Sequence, residues 1–279
     1  MKLARFGDDR IGIVRDDVIV DVTEIAGAAS GEWPPVAMNR LIANFAELKR
    51  KLESAARGQG VALAGVRLLT PVPWPSKVVA YPVNYHDHGA EMRVGYRANN
   101  QGFFLKPPSS ISGPSDPIVL PVNAGRRIDH ECELAVIIGR EGRDIPRERT
   151  RNYVFGYSCL IDAVIRGKEE RVARKAFDTF CPVGPWIVTA DAFDPANVAL
   201  RCTIDGAPIQ EGRTSSMRFG IAEIVGYVSQ HMELRPGDLI ATGTPPRLTT
   251  PPGPERRLRA GDTVTVSIEG IGRLTTHIA

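Results

Sequence analysis

The sequence predicts an α+β protein in which strands dominate, and three observations lead there. Short runs of β-branched and apolar residues recur between turn residues. Only two stretches carry a clear helical period. No alternating strand–helix–strand pattern runs through the chain, and neither a GxGxxG nor a P-loop pattern occurs, so nucleotide binding has no support. The 279 residues, at roughly 150 per domain, allow one large domain or a small one joined to a larger one. With 43% hydrophobic and 24% charged residues the composition is ordinary for a globular chain, which argues against disordered, collagen-like and coiled-coil classes.

The elements follow in order. Lys2–Phe6, the stretch from Gly12 and the stretch from Val18 read as short strands, broken by the Gly7-Asp8-Asp9 turn into a small meander. Leu41, Phe45, Leu48, Leu52 and Ala55 recur every three or four positions among Lys and Arg, which predicts one amphipathic helix with Asn39 as N-cap and Gly58 as its stop. Pro71, Pro73 and Pro75 then bar both helix and central strand. The boundary is placed here: 1–70 forms a small N-terminal α/β module and 71–279 the main domain. Beyond it, Leu134–Ile138, Val154–Leu160, Trp186–Thr189 and Leu200–Ile204 read as strands, and Asp205-Gly206 as a hairpin turn. A helix is expected over 221–234, with Ile221, Val225, Val228 and Met232 on one face. The segment 243–261 holds five prolines and is too Pro-rich for regular structure. Val264, Val266 and Ile268 alternate with polar residues, returning through Leu274, Thr276 and Ile278.

Partner classes narrow on charge. Lys plus Arg total 35 against 32 Asp plus Glu, with no long run of one sign, so a dedicated nucleic-acid surface is not expected. No stretch approaches the roughly 18 apolar residues of a bilayer span, and the N-terminus lacks the apolar core of a signal peptide. A soluble cytoplasmic protein with no membrane partner is the expectation. Cys132, Cys159, Cys181 and Cys202 show no CxxC spacing and imply neither a zinc knuckle nor a disulfide framework.

The most informative segment is Ile128 to Gly139. On a continuous strand, period two puts Asp129, Glu131 and Glu133 on one face, leading into the apolar run Leu134–Ile138. Three like charges so spaced repel, and either solvent or a hard cation such as Mg²⁺ or Mn²⁺ must offset them. Asp162, at the end of the apolar run from Val154, is the candidate for a third ligand. His88 and Glu91 stand three apart at a helix start, where a carboxylate can orient an imidazole as general base; His86 could play the same part. Lys106 and Lys175 each sit among apolar residues, where an ammonium could neutralise a substrate carboxylate or a developing enolate. Thr242-Gly243-Thr244-Pro245 offers N–H groups and hydroxyls at a turn, suitable for an anion.

These segments occur in an order that resembles the fumarylacetoacetate hydrolase family. The matching stretches are Asn84 to Glu91, Phe104 to Pro114, Asp129 to Gly139, Gly156-Tyr157, Lys175 to Pro185, Gly206 to Gln210, Pro236 to Pro245 and Gly261 to Gly272. The resemblance implies a mixed β-roll main domain, a small N-terminal domain and a homodimer. It implies Mg²⁺ or Mn²⁺ held by Glu131, Glu133 and Asp162. It further implies a His88–Glu91 dyad, a catalytic Lys175, and substrate contacts from Arg166, Gln210, Thr242, Gly243 and Thr244. One stretch departs: where the family commonly reads N-D-V-S-A-R-D, this chain has Ile161 to Gly167, keeping Asp162 and Arg166 but losing the polar Asn, Ser and second Asp. The expected activity is metal-dependent hydrolysis of a C–C bond in a 2,4-dioxo acid of the acylpyruvate type, through a pyruvate enolate. A decarboxylase or isomerase of a 2-oxo acid is the alternative, and a metal-binding family member with little catalysis a second.

Overall fold

The structure is a computed structural model that describes residues 1–86, 102–121, 126–248 and 258–279. The N-terminal meander is β1 (Lys2–Phe6), β2 (Arg10–Arg15) and β3 (Val18–Asp21), followed by a short helix α1 (Thr23–Ala26). The expected single helix is instead two, α2 (Ala37–Ala43) and α3 (Phe45–Ala55). The break is at Asn44, whose side-chain amide donates to Arg40 O at 2.9 Å and so competes with the backbone for that carbonyl. Asn39 is no N-cap; it lies inside α2, and its amide holds Trp74 O and Pro236 O.

Two short strands, β4 (Val61–Ala62) and β5 (Leu68–Leu69), complete the N-terminal part. The main part adds β6 (Val78–Ala80), β7 (Phe104–Lys106), β8 (Ile111–Ser112), β9 (Ile128–Asp129), β10 (Cys132–Ile138), β11 (Val154–Ile161) and β12 (Val164–Ile165). Helix α4 (Arg171–Lys175) leads into β13 (Cys181–Thr189). The hairpin β14 (Ala199–Ile204) and β15 (Ala207–Arg213) turns at Asp205-Gly206 as expected. Helix α5 (Ile221–His231) ends three residues early, where Met232 turns extended; β16 (Leu239–Ala241), β17 (Thr263–Ile268) and β18 (Gly272–His277) close the chain.

One large mixed sheet runs β4-β3-β2-β1-β13-β11-β10-β16-β6-β7, and a second, antiparallel sheet runs β15-β14-β17-β18. The N-terminal meander therefore continues the large sheet, through the antiparallel pairing of β1 with β13. Strand β10 is buried along its whole length because apolar layers cover both faces. Leu134, Val136 and Ile138 point into the core shared with Cys202, Val264 and Val266 of the second sheet. Ala135 and Ile137 point into a separate core with Leu41, Leu52 and Leu160, under the N-terminal helices. Two of the departing residues have a packing reason: Ile161 is buried in the inter-sheet core, and Val164 is fully buried on β12. All four cysteines are buried and free. Among the described residues no helix is long and apolar enough to cross a membrane.

Leu134 is fully buried between the two sheets. Leu134→Ala is expected to cost about 3 kcal/mol of unfolding free energy, read as a lower denaturation midpoint with unchanged m-value.

Candidate active site

The site is built where β10 begins and β11 ends. Their antiparallel register pairs Cys132 with Ile161 and Glu133 with Leu160. One further bond, Asp162 N–H to Glu131 O at 2.9 Å, carries the ladder past the strand ends and sets Asp162 opposite Glu131. Glu133 shares the strand face of Ala135 and Ile137 by the two-residue period, and Glu131, one residue before β10, is held at the strand end by that added bond. Carboxylate oxygens of Glu131, Glu133 and Asp162 consequently lie within 4.8 Å of one another, all three side chains buried.

Asp129 does not join them. The chain leaves strand geometry at His130-Glu131, between β9 and β10, so the alternation does not carry through. Its carboxylate accepts instead from Arg127 Nε and Arg166 Nε, each at 2.6 Å, with the Arg247 guanidinium at 2.8 Å. Burial alone would raise its pKa; the three arginines outweigh that and hold it below the usual carboxylate range. Arg166 spans both groups, since it also reaches Glu131 Oε1 at 3.1 Å.

Two buried lysines answer the three acids. Lys175, at the end of α4, donates to Glu131 Oε2 at 2.5 Å and to Asp162 Oδ2. Lys106, on β7, donates to Asp162 Oδ1 at 2.6 Å and to Lys175 O at 2.7 Å, tying the carboxylate to the helix that carries the other ammonium. Burial pushes the Lys175 pKa down, but Asp162, Glu131 and Glu133 more than offset it and raise it above the ordinary lysine value. Glu133 has no lysine in hydrogen-bond contact. Burial first, then Asp162, hold its pKa well above the usual carboxylate value, although Gly243 N–H donates to its Oε2 at 2.7 Å. The anion held by the Thr242–Pro245 turn is thus one of the protein's own carboxylates.

That turn is placed by β16. Beyond the pairing of Ala135 with Ala241, Thr242 Oγ1 donates to Leu134 O and Thr244 Oγ1 to Cys132 O, each at 2.9 Å. Gly243 has φ +95, and a Cβ there would meet Asn84 Cβ at 2.8 Å, so glycine alone fits the approach. Asn84 braces it, its amide donating to Thr242 O and Phe219 O. Gln210 reaches across from β15: its amide donates to Thr244 Oγ1 and Pro245 O, and its Oε1 accepts from Cys132 N–H. Gln210 and Thr242 therefore hold the turn from behind. Glu131, Glu133, Asp162, Arg166, Lys175, Gly243 and Thr244 face a cavity of about 80 Å³. His88 and Glu91 lie outside the described residues, as does 249–257 within the Pro-rich segment; His86 is exposed.

Reading the residues in isolation missed two features of this site. The arginine hub at Asp129 has little local signal, because Arg127 is two residues away but Arg166 and Arg247 come from distant segments. Arg171 and Arg174, which also line the cavity, belong to no motif in the sequence that marks them. Lys106 is legible in the sequence as an ammonium among apolar residues, and the structure adds its partner, Asp162.

The donor set fits a hard divalent cation: three carboxylates and no thiolate or imidazole, brought together where one of them has no ammonium contact. Comparison with known proteins agrees. The model of the fumarylacetoacetate (FAA) hydrolase C-terminal domain matches residues 77–279. A maleylpyruvate hydrolase of Aquipseudomonas alcaligenes is 37% identical over all of this chain and 99% of its own length. The crystal structure of a maleylpyruvate hydrolase from Sphingobium sp. SYK-6, in complex with manganese (II) ion and pyruvate, is 44% identical, with TM-score 0.90 over 100% of this chain and 99% of that one. A 5-carboxymethyl-2-hydroxymuconate delta-isomerase from Mycobacterium smegmatis is 33% identical, with TM-score 0.76 over 100% and 98%. The site's acids and lysine occupy the matched region, and the chain belongs to the fumarylacetoacetate hydrolase family.

Proposed function

We propose that this protein is a divalent-metal-dependent hydrolase that cleaves a C–C bond in a 2,4-dioxo acid of the acylpyruvate type. The observation that carries the reading is the convergence of three buried carboxylates beside the ammonium of Lys175. The likeness to maleylpyruvate hydrolases over the whole chain supports it.

Glu131, Glu133 and Asp162 would hold the ion, which when bound supplies a Lewis acid and template for a 2-oxo group and its carboxylate. Lys175 keeps its proton in this setting, and its fixed positive charge lies where charge develops as the C3–C4 bond breaks and pyruvate leaves as its enolate. Gly243 N–H and Lys106 keep Glu133 and Asp162 aimed inward, so no rearrangement is needed as that charge forms. His88, oriented by Glu91, is assigned to activate the water that attacks the C4 carbonyl. A homodimer acting in the cytoplasm belongs to the same proposal and rests on the resemblance alone. The isomerase likeness supports a second use of the same enolate-stabilising groups, isomerisation of an unsaturated 2-oxo diacid.

The test is turnover of several 2,4-dioxo acids with Mn²⁺ and then with chelator, reading pyruvate, CO₂ and isomerised product side by side. Metal-dependent pyruvate release is expected; isomerised product without pyruvate selects the second reading, and metal binding without turnover refutes both. His88→Ala should slow pyruvate release by roughly 10²–10⁴-fold, while decarboxylation of an oxaloacetate-like acid persists. Equal loss of both activities argues against His88 as the water-activating base. Glu131→Gln should weaken Mn²⁺ binding, measured by calorimetry, by more than the roughly 10–100-fold typical of losing an outer-shell partner.

The raised pKa of Glu133 sets a pH dependence. A carboxyl whose folded-state pKa lies above its unfolded one stabilises the metal-free protein at low pH, and that contribution is lost as pH rises and the buried group must ionise. Bound Mn²⁺ offsets the resulting charge, so the increase in Tm on adding Mn²⁺ should grow with pH. Glu133→Gln should flatten that trend; an increment independent of pH in the wild-type protein would contradict this origin.

A further inference from the structure

A bulge on β15 decides where Gln210 points. Along the hairpin Ile204 pairs with Ala207 and Thr203 with Pro208, but Cys202 then pairs with Gln210, which leaves Ile209 as an extra residue. Cys202 and Ile204 face the inter-sheet core, so Gln210, directly opposite Cys202, faces it too. In an unbroken ladder Ile209 would stand opposite Cys202, and Gln210 opposite the exposed Arg201. The bulge turns an amide inward where the alternation would place an isoleucine, and Gln210 is the one buried residue of β15.

The hydrogen bonds of that amide all end beside the carboxylates. Its Oε1 accepts from Cys132 N–H at 3.1 Å, and its Nε2 donates to Thr244 Oγ1 at 2.9 Å and to Pro245 O at 2.8 Å. Thr244 Oγ1 closes the ring by donating to Cys132 O at 2.9 Å. Cys132 lies between Glu131 and Glu133, so its N–H and C=O belong to the two peptide units that join them. On this edge of β10 the pairing with β16 ends at Ala135 and the last backbone bond at Leu134 O. At Cys132 two side chains finish the ladder. The backbone of Gln210 is engaged as well: it bridges to Arg247, whose guanidinium holds Asp129. Gly212 lets the turn lie against β15, since a Cβ there would sit 2.4 Å from Pro245 Cβ.

We propose that Gln210 is a positioning residue for the metal. By fixing the peptide units on either side of Cys132 it sets the separation and aim of the Glu131 and Glu133 carboxylates, and through its backbone it brings Arg247 to Asp129. This replaces the substrate contact that the family resemblance implies for Gln210, because Gly243 and Thr244 line the cavity and Gln210 stands behind them. The inference rests on the metal-binding half of the reading above and adds which residue outside the ligand set tunes it.

The experiment measures Mn²⁺ affinity by calorimetry, and kcat and KM for a 2,4-dioxo acid at saturating Mn²⁺. Gln210→Met keeps the length of the side chain and removes all three bonds. It should weaken Mn²⁺ binding by about 10–100-fold, as loss of an outer-shell partner does, and lower kcat while KM stays within about threefold. Gln210→Glu keeps the acceptor for Cys132 N–H and loses both donors, so its affinity should fall between the two. Thermal melts of the metal-free variants establish that they fold; a residue with only a structural part would lower Tm and leave the Mn²⁺ affinity of the folded protein unchanged. In the wild-type protein Mn²⁺ should slow amide exchange over 207–213 together with that of β10, a readout that needs no variant. The inference is overturned if both variants bind Mn²⁺ as the wild type does, if the loss falls in KM with affinity kept, or if Mn²⁺ leaves exchange over 207–213 unchanged. Failure of the wild-type protein to bind Mn²⁺ would remove the metal reading and this inference together, an outcome distinct from binding that the variants do not alter.

Discussion

Three carboxylates cannot be buried within 4.8 Å of one another unless positive charge is placed among them, and the structure around this site is arranged to place it. Lys175 and Lys106 supply two ammoniums, each making two hydrogen bonds, and Lys106 binds the backbone of Lys175 as well as Asp162. Their stems pack where lysine is rarely tolerated, which is affordable only because the acids are there. Glu133, left without an ammonium in contact, keeps a raised pKa, and that unmet charge is what a divalent ion would answer.

The same constraint explains the layering. Carboxylates in water would be solvated and weakly held; here both faces of β10 are covered, one by the second sheet and one by the N-terminal helices. The second sheet does more than exclude solvent. Gln210 crosses from β15 to pin Thr244 and Cys132, so the turn that binds Glu133 is braced by a strand from the other sheet. Asp129 and its arginines form a further layer, with Arg166 joining that layer to Glu131. A mutation at Gln210 or Asp129 would therefore reach the site through the groups it positions.

Much of this was legible in the residues because it depends on short-range spacing. Period two on a strand relates Glu131 to Glu133 wherever the strand lies, and an acid closing an apolar run marks Asp162 as needing a partner. The Asp205-Gly206 hairpin and the helix from Ile221 follow from turn chemistry and helical period in the same way. Where local reasoning failed, a competing contact decided. The predicted single helix divides at Asn44 because one amide takes a carbonyl, and Asn39 serves Trp74 and Pro236 instead of capping. Asp129 left the expected row because two residues before β10 are not in strand geometry.

The amino-acid order by itself determined the strand-rich class, the pairing of Glu131 with Glu133 and the family to which the chain is similar, since periodicity and motif order are properties of neighbours in sequence. Only the tertiary structure decided which charges meet. Lys106 lies 56 positions from Asp162, Lys175 44 from Glu131, and Gly243 110 from Glu133. Contacts of that separation are set by sheet order and by β10 being enclosed on both sides, because electrostatic energy depends on distance and burial in space, and residue spacing along the chain encodes neither.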